Sequence, residues 1–391
     1  MSTVQAGAPR PDPGAASPDG PGGVEPDTAR RVARYSGFRP EVQGLRFVAV
    51  LLVVVYHVFL GRVSGGVDVF LLISAFFLTL SFVRKLEAGR PLALGRYWLH
   101  VFKRLLPLAV LTILGTLVLA WWFFPEARID RVRTEALASV LYVENWALAL
   151  AEVDYYAADD STASPFQHFW SLSVQGQFYL VWPVVAVVAV LVARRLKVPA
   201  VRVMAVMIGV VLAASLTLAL YVGGFDQDKA YLMSTTRAWQ LAFGGLLGLA
   251  GASLTLPRRI RLPAGWLGLA LIASCGFVLD GAALFPGLWS LWPLLGLALV
   301  LASAGPDGGR QDPAGHASRF LSNPMFAWIG DHAYALYLWH WPLLIFYLEI
   351  REREAVGLRG AALILALALA LAWLTHRLVE IPLKNLQIRV G

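Results

Sequence analysis

The chain has 391 residues, 58% of them hydrophobic, and a mean hydropathy of +0.63, which indicates an integral membrane protein rather than a soluble domain. Its one cysteine, Cys275, excludes an intrachain disulfide and a thiolate metal cluster, and we expect no metal site. The net charge of +8 comes from short basic clusters between apolar runs. Such clusters set membrane orientation, so we expect no nucleic-acid partner.

Residues 1–36 are rich in Pro, Gly, Ala and Asp and contain few side chains apolar enough to be buried. This composition predicts a disordered cytoplasmic tail. No apolar run with a small-residue cleavage site precedes residue 40, which argues against a secretory signal peptide. We expect residues 37–391 to form one membrane domain.

Ten apolar stretches follow the tail, and each approaches the length of about 20 residues that a helix needs to cross a membrane. The predicted fold is therefore an all-α, polytopic integral membrane bundle of about ten transmembrane helices. The stretches lie near residues 42–60, 66–84, 102–124, 169–193, 201–222, 234–252, 264–280, 287–304, 330–349 and 357–379. Residues 134–151 are also apolar, but Glu135, Glu144 and Asn145 interrupt them. We expect a surface or re-entrant helix there.

The basic residues are concentrated in four clusters, which the ten-span arrangement places on one side of the membrane. Because basic loops remain in the cytoplasm, we expect a multi-pass cell-membrane protein with both the amino and carboxyl termini cytoplasmic. The clusters are Arg30–Arg39, Arg84–Arg104, Arg194–Arg202 and Arg258–Arg261.

Two ionisable residues, Arg46 and His57, lie inside the first apolar stretch. Eleven positions of helix bring them to within roughly 20° of each other around the axis and about 16 Å apart along it. An ionisable group facing lipid near the membrane centre costs about 3 kcal/mol or more. We therefore expect both side chains to face protein and to border one internal cavity.

Other polar residues could belong to the same cavity. Asp68, at the start of the second stretch, is expected near His57, where a carboxylate could fix the imidazole tautomer. In the ninth stretch, Asp331, Tyr334, Tyr337 and His340 recur every three residues and form a stripe on one side of the helix. An interfacial aromatic belt is the alternative, but the stripe extends for about 13 Å, which favours cavity lining.

Several segments occur together and in order along residues 38–387. The first is Arg46, ten intervening residues and His57. The later segments are GVDVFLLISAFFLT from residue 66, KRLLP at 103–107, HFWSLSVQGQFYLVWP at 168–183, TRAWQLAFGGLL at 236–247, GDHAYALYLWHWPLL at 330–344 and VEIPL at 379–383. This series resembles the acyltransferase-3 family of membrane proteins, whose members move acyl groups from acyl-CoA to carbohydrates and other hydroxyl acceptors.

Two positions depart from the family pattern. Gln175 and Gly176 stand where many members have a pair of glutamates, and Gln240 stands where a glutamate is frequent. Glutamine keeps the hydrogen-bonding capacity of glutamate but not its charge or basicity. We interpret these residues as features of one branch of the family rather than as inactivation.

The resemblance implies an O-acyltransferase, for example an O-acetylating enzyme, that uses acyl-CoA as a co-substrate and has no tightly bound cofactor. The implied acceptor is a hydroxyl of a cell-surface carbohydrate, a glycolipid or a glycosylated metabolite. His57 is the candidate base or acyl carrier. Arg46, Lys103 and Arg104 are candidates for the coenzyme A phosphates, although membrane orientation alone could account for Lys103 and Arg104.

Further residues of the matching segments are candidate substrate contacts. They are His168, Trp170, Gln175, Tyr179, Arg237, Tyr337, His340 and Glu380.

Two alternative functions remain open. Many family members carry an additional hydrolase-like extracytoplasmic domain, and this chain resembles the form without it. A separate extracytoplasmic partner could then complete the transfer, so a transmembrane acyl relay is an alternative function. A transporter with a buried Arg/His site is another, although no inverted repeat is visible in the sequence.

Overall fold

The computed structural model describes residues 39–151, 163–251, 254–305 and 309–385, and every regular element in these ranges is a helix. The predicted disordered tail, residues 1–36, lies outside the described residues. In chain order the helices are α1 (Pro40–Val55), α2 (Gly66–Glu87), α3 (Leu94–Phe123), α4 (Glu126–Val140), α5 (Glu144–Leu150), α6 (Phe169–Leu196), α7 (Ala200–Gly223), α8 (Gln227–Leu232), α9 (Ser234–Ala250), α10 (Arg258–Val278), α11 (Gly281–Leu284), α12 (Leu291–Ser303), α13 (Ala317–Leu321), α14 (Pro324–Asp331), α15 (Ala333–Arg351), α16 (Leu358–Thr375) and α17 (Ile381–Asn385).

The prediction of an all-α membrane bundle is confirmed. Helices occupy all ten predicted stretches, and seven helical segments in the described part are long and apolar enough to cross a membrane. The other three stretches correspond to α9, which has 17 residues, to the short apolar segment Leu288–Ser303, and to α15, whose Tyr, Trp and His side chains lower its hydropathy.

The interrupted apolar stretch at residues 134–151 forms parts of two short helices, α4 with 15 residues and α5 with 7. Tyr142 separates them with a φ of 57°, in the left-handed region, so the chain turns between the two. Both helices are shorter than the roughly 20 residues that a membrane crossing needs.

Helix packing brings distant parts of the chain together around α1 and α2. Helix α9 packs on α2 and α7, and α15 packs on α16, α3 and α1. Helix α14 lies against α1 so closely that a Cβ atom at Gly330 would be 2.3 Å from the backbone oxygen of Gln43. Since no side chain fits in that space, glycine lets α14 set the position of the segment of α1 that carries Arg46.

Two helices are continued by wider π-helical turns. Residues Tyr56–Leu60 extend α1, and residues His376–Glu380 connect α16 to α17. A π turn holds one residue more than an α turn and thereby changes the direction of the side chains that follow it. His57 is in the first of these turns and Glu380 in the second.

Candidate active site

A cavity of about 500 Å³ lies among α1, α2, α3, α6 and α15. We call it the arginine cavity, because Arg46 and Arg104 both line it. Arg46 borders this cavity as expected, and candidates Gln175, Tyr179 and Tyr337 also line it. His57 was expected to border the same cavity, but it is not among the lining residues. Its other polar lining residues are Arg39, Gln43, Ser74, Ser81, Tyr97, His100, Ser171 and Tyr334.

Positive charge dominates one part of this cavity. The guanidinium of Arg46 donates from Nη1 to Oε1 of Gln43 at 3.1 Å. The like charge of Arg104 is near enough to repel that of Arg46. The carboxylates of Asp331 and Glu380 are near enough to attract the Arg46 guanidinium. Two guanidinium groups that share a pocket favour a phosphate, which each can bind through paired N–H donors.

The position of Lys103 differs from that of Arg104, although the two are adjacent in α3. Arg104 lines the arginine cavity, whereas Lys103 is not among the lining residues. Successive residues of a helix point about 100° apart, so the side chain of Lys103 leaves α3 in a different direction from that of Arg104. The structure therefore brings Arg46 and Arg104 together and leaves Lys103 outside their cavity.

Gln175 and Gly176 have separate structural environments. The Nε2 of Gln175 donates to the Oγ of Ser74, and both residues line the arginine cavity. A Cβ atom at Gly176 would lie 2.3 Å from Cδ1 of Tyr142. The ring of Tyr142, from the turn between α4 and α5, thus occupies the space next to position 176 where a glutamate side chain would begin.

Three histidines, His57, His168 and His340, form a cluster, and none of them lines the arginine cavity. The Nδ1 of His57 is 3.1 Å from the Nε2 of His340, and the two ring planes are within 10° of parallel, with centroids 5.4 Å apart. The ring of His168 lies 6.0 Å from that of His340. Trp341 packs edge-on against His57 at 5.0 Å. His168 and His340 are buried, and His57 is partly exposed.

Tyr337 and Ser171 stand between this histidine cluster and the arginine cavity. Both residues line the cavity, and the Tyr337 hydroxyl is 2.7 Å from the Ser171 Oγ. It also donates to the backbone oxygen of His168 at 2.9 Å. The Tyr337 ring lies 5.4 Å from His340 and 5.5 Å from His168. In this conformation the two side chains form a wall of the cavity that contacts His168 and His340.

Trp341, which packs against His57, links the histidine cluster to polar residues of α4 and of the segment before α6. Trp341 donates from Nε1 to the backbone oxygen of Ser164 at 2.8 Å, and the Ser164 hydroxyl donates to Glu135. Glu135 also accepts from the Nε of Arg131 at 2.8 Å. Nearby in the chain, burial, and then the charge of Glu135, raises the pKa of Glu144 to about 10, so this carboxyl is neutral at pH 7.

The structure places Asp68 away from His57, which corrects the expectation that they would pair. Oδ1 of Asp68 accepts from Nη1 of Arg237 at 2.8 Å and from Nε2 of Gln240 at 2.7 Å, and all three side chains are buried. The close packing of α9 on α2 brings these partners to Asp68. The ring nitrogen Nδ1 of His57 lies beside His340 instead.

Three other predicted substrate contacts also lie outside the arginine cavity. Trp170 and Tyr231 flank Arg237, with its guanidinium carbon 4.9 Å from the Trp170 ring centroid and 4.2 Å from that of Tyr231. Trp170 and Arg237 therefore belong to the buried Asp68 cluster. Glu380 accepts from the Nδ1 of His376 at 2.9 Å, within electrostatic reach of Arg46.

The tyrosine stripe predicted in the ninth stretch is confirmed for Tyr334 and Tyr337, which both line the cavity. Asp331 does not continue it, because α14 ends at Asp331 and a new helix begins at Ala333. His340 lies further along α15, in the histidine cluster.

Sequence reasoning missed several polar residues that line the cavity. Gln43 lies three positions before Arg46, on the same helix face, and this spacing could have identified it. Ser74 and Ser171 are small polar residues inside the quoted motifs, and nothing in the neighbouring sequence indicates that they line a cavity. His100 had no signal beyond its place in a basic segment.

The comparisons with known proteins agree with this architecture. A family profile described as "Acyltransferase domain" matches residues 39–377. The peptidoglycan O-acetyltransferase OatA of Listeria monocytogenes is 28% identical over 370 residues, which are 91% of this chain and 57% of OatA. YrhL of Bacillus subtilis, provisionally named a peptidoglycan O-acetyltransferase, is 26% identical over 90% of this chain and 56% of its own length. The chain thus spans less than two thirds of these relatives. No solved structure matches it significantly.

Proposed function

Because this chain belongs to the acyltransferase-3 family of membrane proteins, we propose that it transfers an acyl group from acyl-CoA to a hydroxyl of a cell-surface carbohydrate, glycolipid or glycosylated metabolite. One arrangement carries the proposal. An arginine-lined cavity of about 500 Å³ has Tyr337 and Ser171 in its wall, and Tyr337 packs directly against His340 of the histidine cluster that contains His57.

The arginine cavity is the proposed donor site. Its volume falls in the range of small-molecule pockets, about 300–1,000 Å³. Arg46 and Arg104 would bind phosphate groups of coenzyme A, and the thioester end would extend toward Tyr337. Lys103, outside the cavity, is assigned to the basic membrane surface.

His57 is the proposed base. As the acceptor oxygen attacks the thioester carbonyl carbon, the hydroxyl proton passes to the imidazole of His57. The C–S bond then breaks, and the imidazolium returns the proton to the departing sulfur. The products are an ester and the thiol of coenzyme A. A route in which His57 carries the acyl group uses the same imidazole as a nucleophile and consumes the same substrates.

We propose that both termini are cytoplasmic, so that the donor enters from the cytosol and the acceptor from outside. The polar groups of Arg131, Glu135 and Ser164 would then lie on the acceptor side of the histidine cluster. A glycan acceptor is supported by the relatives named as peptidoglycan O-acetyltransferases. A separate extracytoplasmic partner that completes the transfer is the second candidate arrangement.

The central test is a comparison of cells that produce the wild-type protein, His57→Ala or the control His316→Ala. His316 lies before α13 and outside both the cavity and the histidine cluster. We expect His57→Ala to reduce acylated envelope glycan or lipid by at least about 100-fold, since a positioned base contributes about 10²–10⁴-fold. Mass spectrometry of the envelope measures the product and identifies the acyl group.

Normal product formation by a membrane-inserted His57→Ala variant would disprove the proposed mechanism. Loss of product in both variants at equal protein levels would show that the assay responds to general damage, and would equally remove the evidence for His57.

A further inference from the structure

We infer that His340 is a positioning residue that fixes the tautomer of His57 and leaves Nε2 of His57 as the reactive nitrogen. The tautomer follows from hydrogen-bond geometry alone. Its consequence for acyl transfer rests on the proposed function, and the two are tested separately below.

The argument begins at Nδ1 of His340. This nitrogen lies 2.7 Å from the backbone oxygen of Tyr337 and 3.3 Å from that of Leu336. A carbonyl oxygen can only accept a hydrogen bond, so the Nδ1 of His340 must carry the hydrogen. Its Nε2 therefore holds a lone pair, because a neutral imidazole carries one N–H.

His340 is neutral for a physical reason. Its side chain is completely buried, and its hydrogen-bond partners in the described part of the chain are two carbonyl oxygens and another imidazole. An imidazolium in such a place would be a buried charge without a carboxylate beside it, which is costly. The neutral form satisfies both ring nitrogens.

The protonation of His340 then determines that of His57. The Nδ1 of His57 is 3.1 Å from the lone pair of the His340 Nε2, and two facing lone pairs would repel. Nδ1 of His57 must therefore donate. One hydrogen is then accounted for in neutral His57, so its Nε2 holds the free lone pair.

Packing keeps the ring in this orientation. The two imidazole planes are within 10° of parallel, and Trp341 lies edge-on against His57. A flip of the His57 ring would turn a carbon toward His340 and break the hydrogen bond. His340 thus holds the imidazole as a carboxylate does in other enzymes, but without burying a negative charge.

This assignment gives each proton in the proposed reaction a definite atom. The acceptor hydroxyl would release its proton to Nε2 of His57 while its oxygen bonds to the acyl carbon of the thioester. The C–S bond breaks, and the same Nε2–H protonates the sulfur. Nδ1–H stays bonded to His340 throughout, so neither Gln175 nor Gln240 needs to be a carboxylate.

The direct test is nitrogen NMR of ¹⁵N-histidine-labelled protein in lipid bilayers, with the His57 signals identified by their loss in His57→Gln. We expect His57 to be protonated at Nδ1 and unprotonated at Nε2, and His340 likewise. Protonation of His57 at Nε2 in the wild-type protein would overturn the inference. This measurement needs neither donor nor acceptor, so it remains decisive if the proposed acyltransferase activity is not found.

The kinetic test compares His340→Gln, His340→Leu and the control His316→Leu. Glutamine can place its Oε1 near the position of the imidazole Nε2 and accept from His57, whereas leucine cannot. We expect His340→Leu to reduce kcat by about 100-fold with the KM for acyl-CoA within about twofold, and His340→Gln to recover at least about tenfold of that loss.

Thermal unfolding in detergent shows whether each variant is folded. Equal kcat values for folded His340→Leu and His340→Gln would overturn the positioning role. If His340→Leu does not fold, His340→Gln is compared with the wild-type protein instead. A His340→Gln variant in which His57 is protonated at Nε2 and kcat is unchanged would equally overturn the positioning role.

Discussion

At the scale of single residues, Arg46 and Arg104 bring two positive charges to one cavity, and Asp331 and Glu380 are acidic residues within electrostatic range of Arg46. A hydrogen bond to a charged group contributes about 1.5–3 kcal/mol. Arg46→Ala is therefore expected to raise the KM for acyl-CoA by about tenfold or more and to change kcat by less than about threefold. Initial rates over a range of acyl-CoA concentrations measure both.

Lys103→Ala is the matched control for Arg46→Ala, because Lys103 is a neighbouring cation outside the cavity lining. Its KM should stay within about twofold of the wild-type value. An unchanged dependence on acyl-CoA in Arg46→Ala would remove Arg46 from the donor site.

Asp68 is the residue whose assignment changed most. It is 1% exposed and Arg237 is 0% exposed, so removal of one partner leaves the other charge buried. Breaking such a pair costs about 3–5 kcal/mol, whereas replacing both partners with apolar residues costs much less. Asp68→Asn should lower the unfolding temperature in detergent, and the double variant Asp68→Leu/Arg237→Met should restore most of it.

Asp226→Asn provides the control for Asp68→Asn. Asp226 pairs with Lys229 at 3.0 Å on a partly exposed surface, where such a pair contributes about 0–1 kcal/mol. An Asp68→Asn variant that is as stable as the wild-type protein but inactive would instead assign the carboxylate to the reaction.

These residues show what the sequence can predict at this scale. The shared face of Arg46 and His57 follows from helix geometry, which is local. The partners of Asp68 are 169 and 172 positions away, and His340 is 283 positions from His57. Such pairs depend on which helices pack together, and hydropathy carries no information on that. The family motifs identify the segments, but not which of their side chains meet.

At the scale of elements, the contact of α14 with α1 sets the position of Arg46. Gly330→Ala would place a Cβ 2.3 Å from the Gln43 backbone oxygen, so the helices must separate. Overpacking of this kind costs about 1–3 kcal/mol. We expect a lower unfolding temperature and a higher KM for acyl-CoA, measured on the purified variant in detergent and by initial rates.

Gly209→Ala tests the same substitution where space is open. Gly209 is inside α7, and apart from its chain neighbours and the backbone of its own helix no atom lies within 4 Å of a Cβ built there. Alanine in a helix interior is favoured over glycine by about 0.5–1 kcal/mol. Equal destabilisation by the two substitutions would contradict the role of the α1–α14 contact.

The helices themselves were largely predictable from apolar stretches, because membrane crossing demands length and hydropathy together. The π turn at Tyr56–Leu60 was not, since one additional residue in a turn changes neither quantity. The break between α14 and α15 was missed for a related reason. The three-residue spacing of the polar stripe is the same on both sides of His332, although the backbone does not remain in one helix there.

At the scale of the whole molecule, the proposed orientation predicts which loops a membrane-impermeant thiol reagent can reach. Arg90 lies in the exposed segment between α2 and α3, and Arg133 is exposed on α4. The natural Cys275 is buried, so its background labelling should be low. We expect Arg133→Cys to react in intact cells and Arg90→Cys to react after the membrane is permeabilised. The reverse pattern would invert the proposed topology.

The wall formed by Tyr337 and Ser171 also bears on the electrical integrity of the membrane. A continuous polar passage from Arg46 through the histidines to Glu135 would conduct protons across the bilayer. Each proton that crossed would dissipate part of the membrane potential. The Tyr337 ring packs against His168 and His340, and none of the three histidines lines the arginine cavity. The cavity and the imidazoles are therefore not joined by open space in this conformation, which limits the leakage of protons that a continuous water-filled passage would allow.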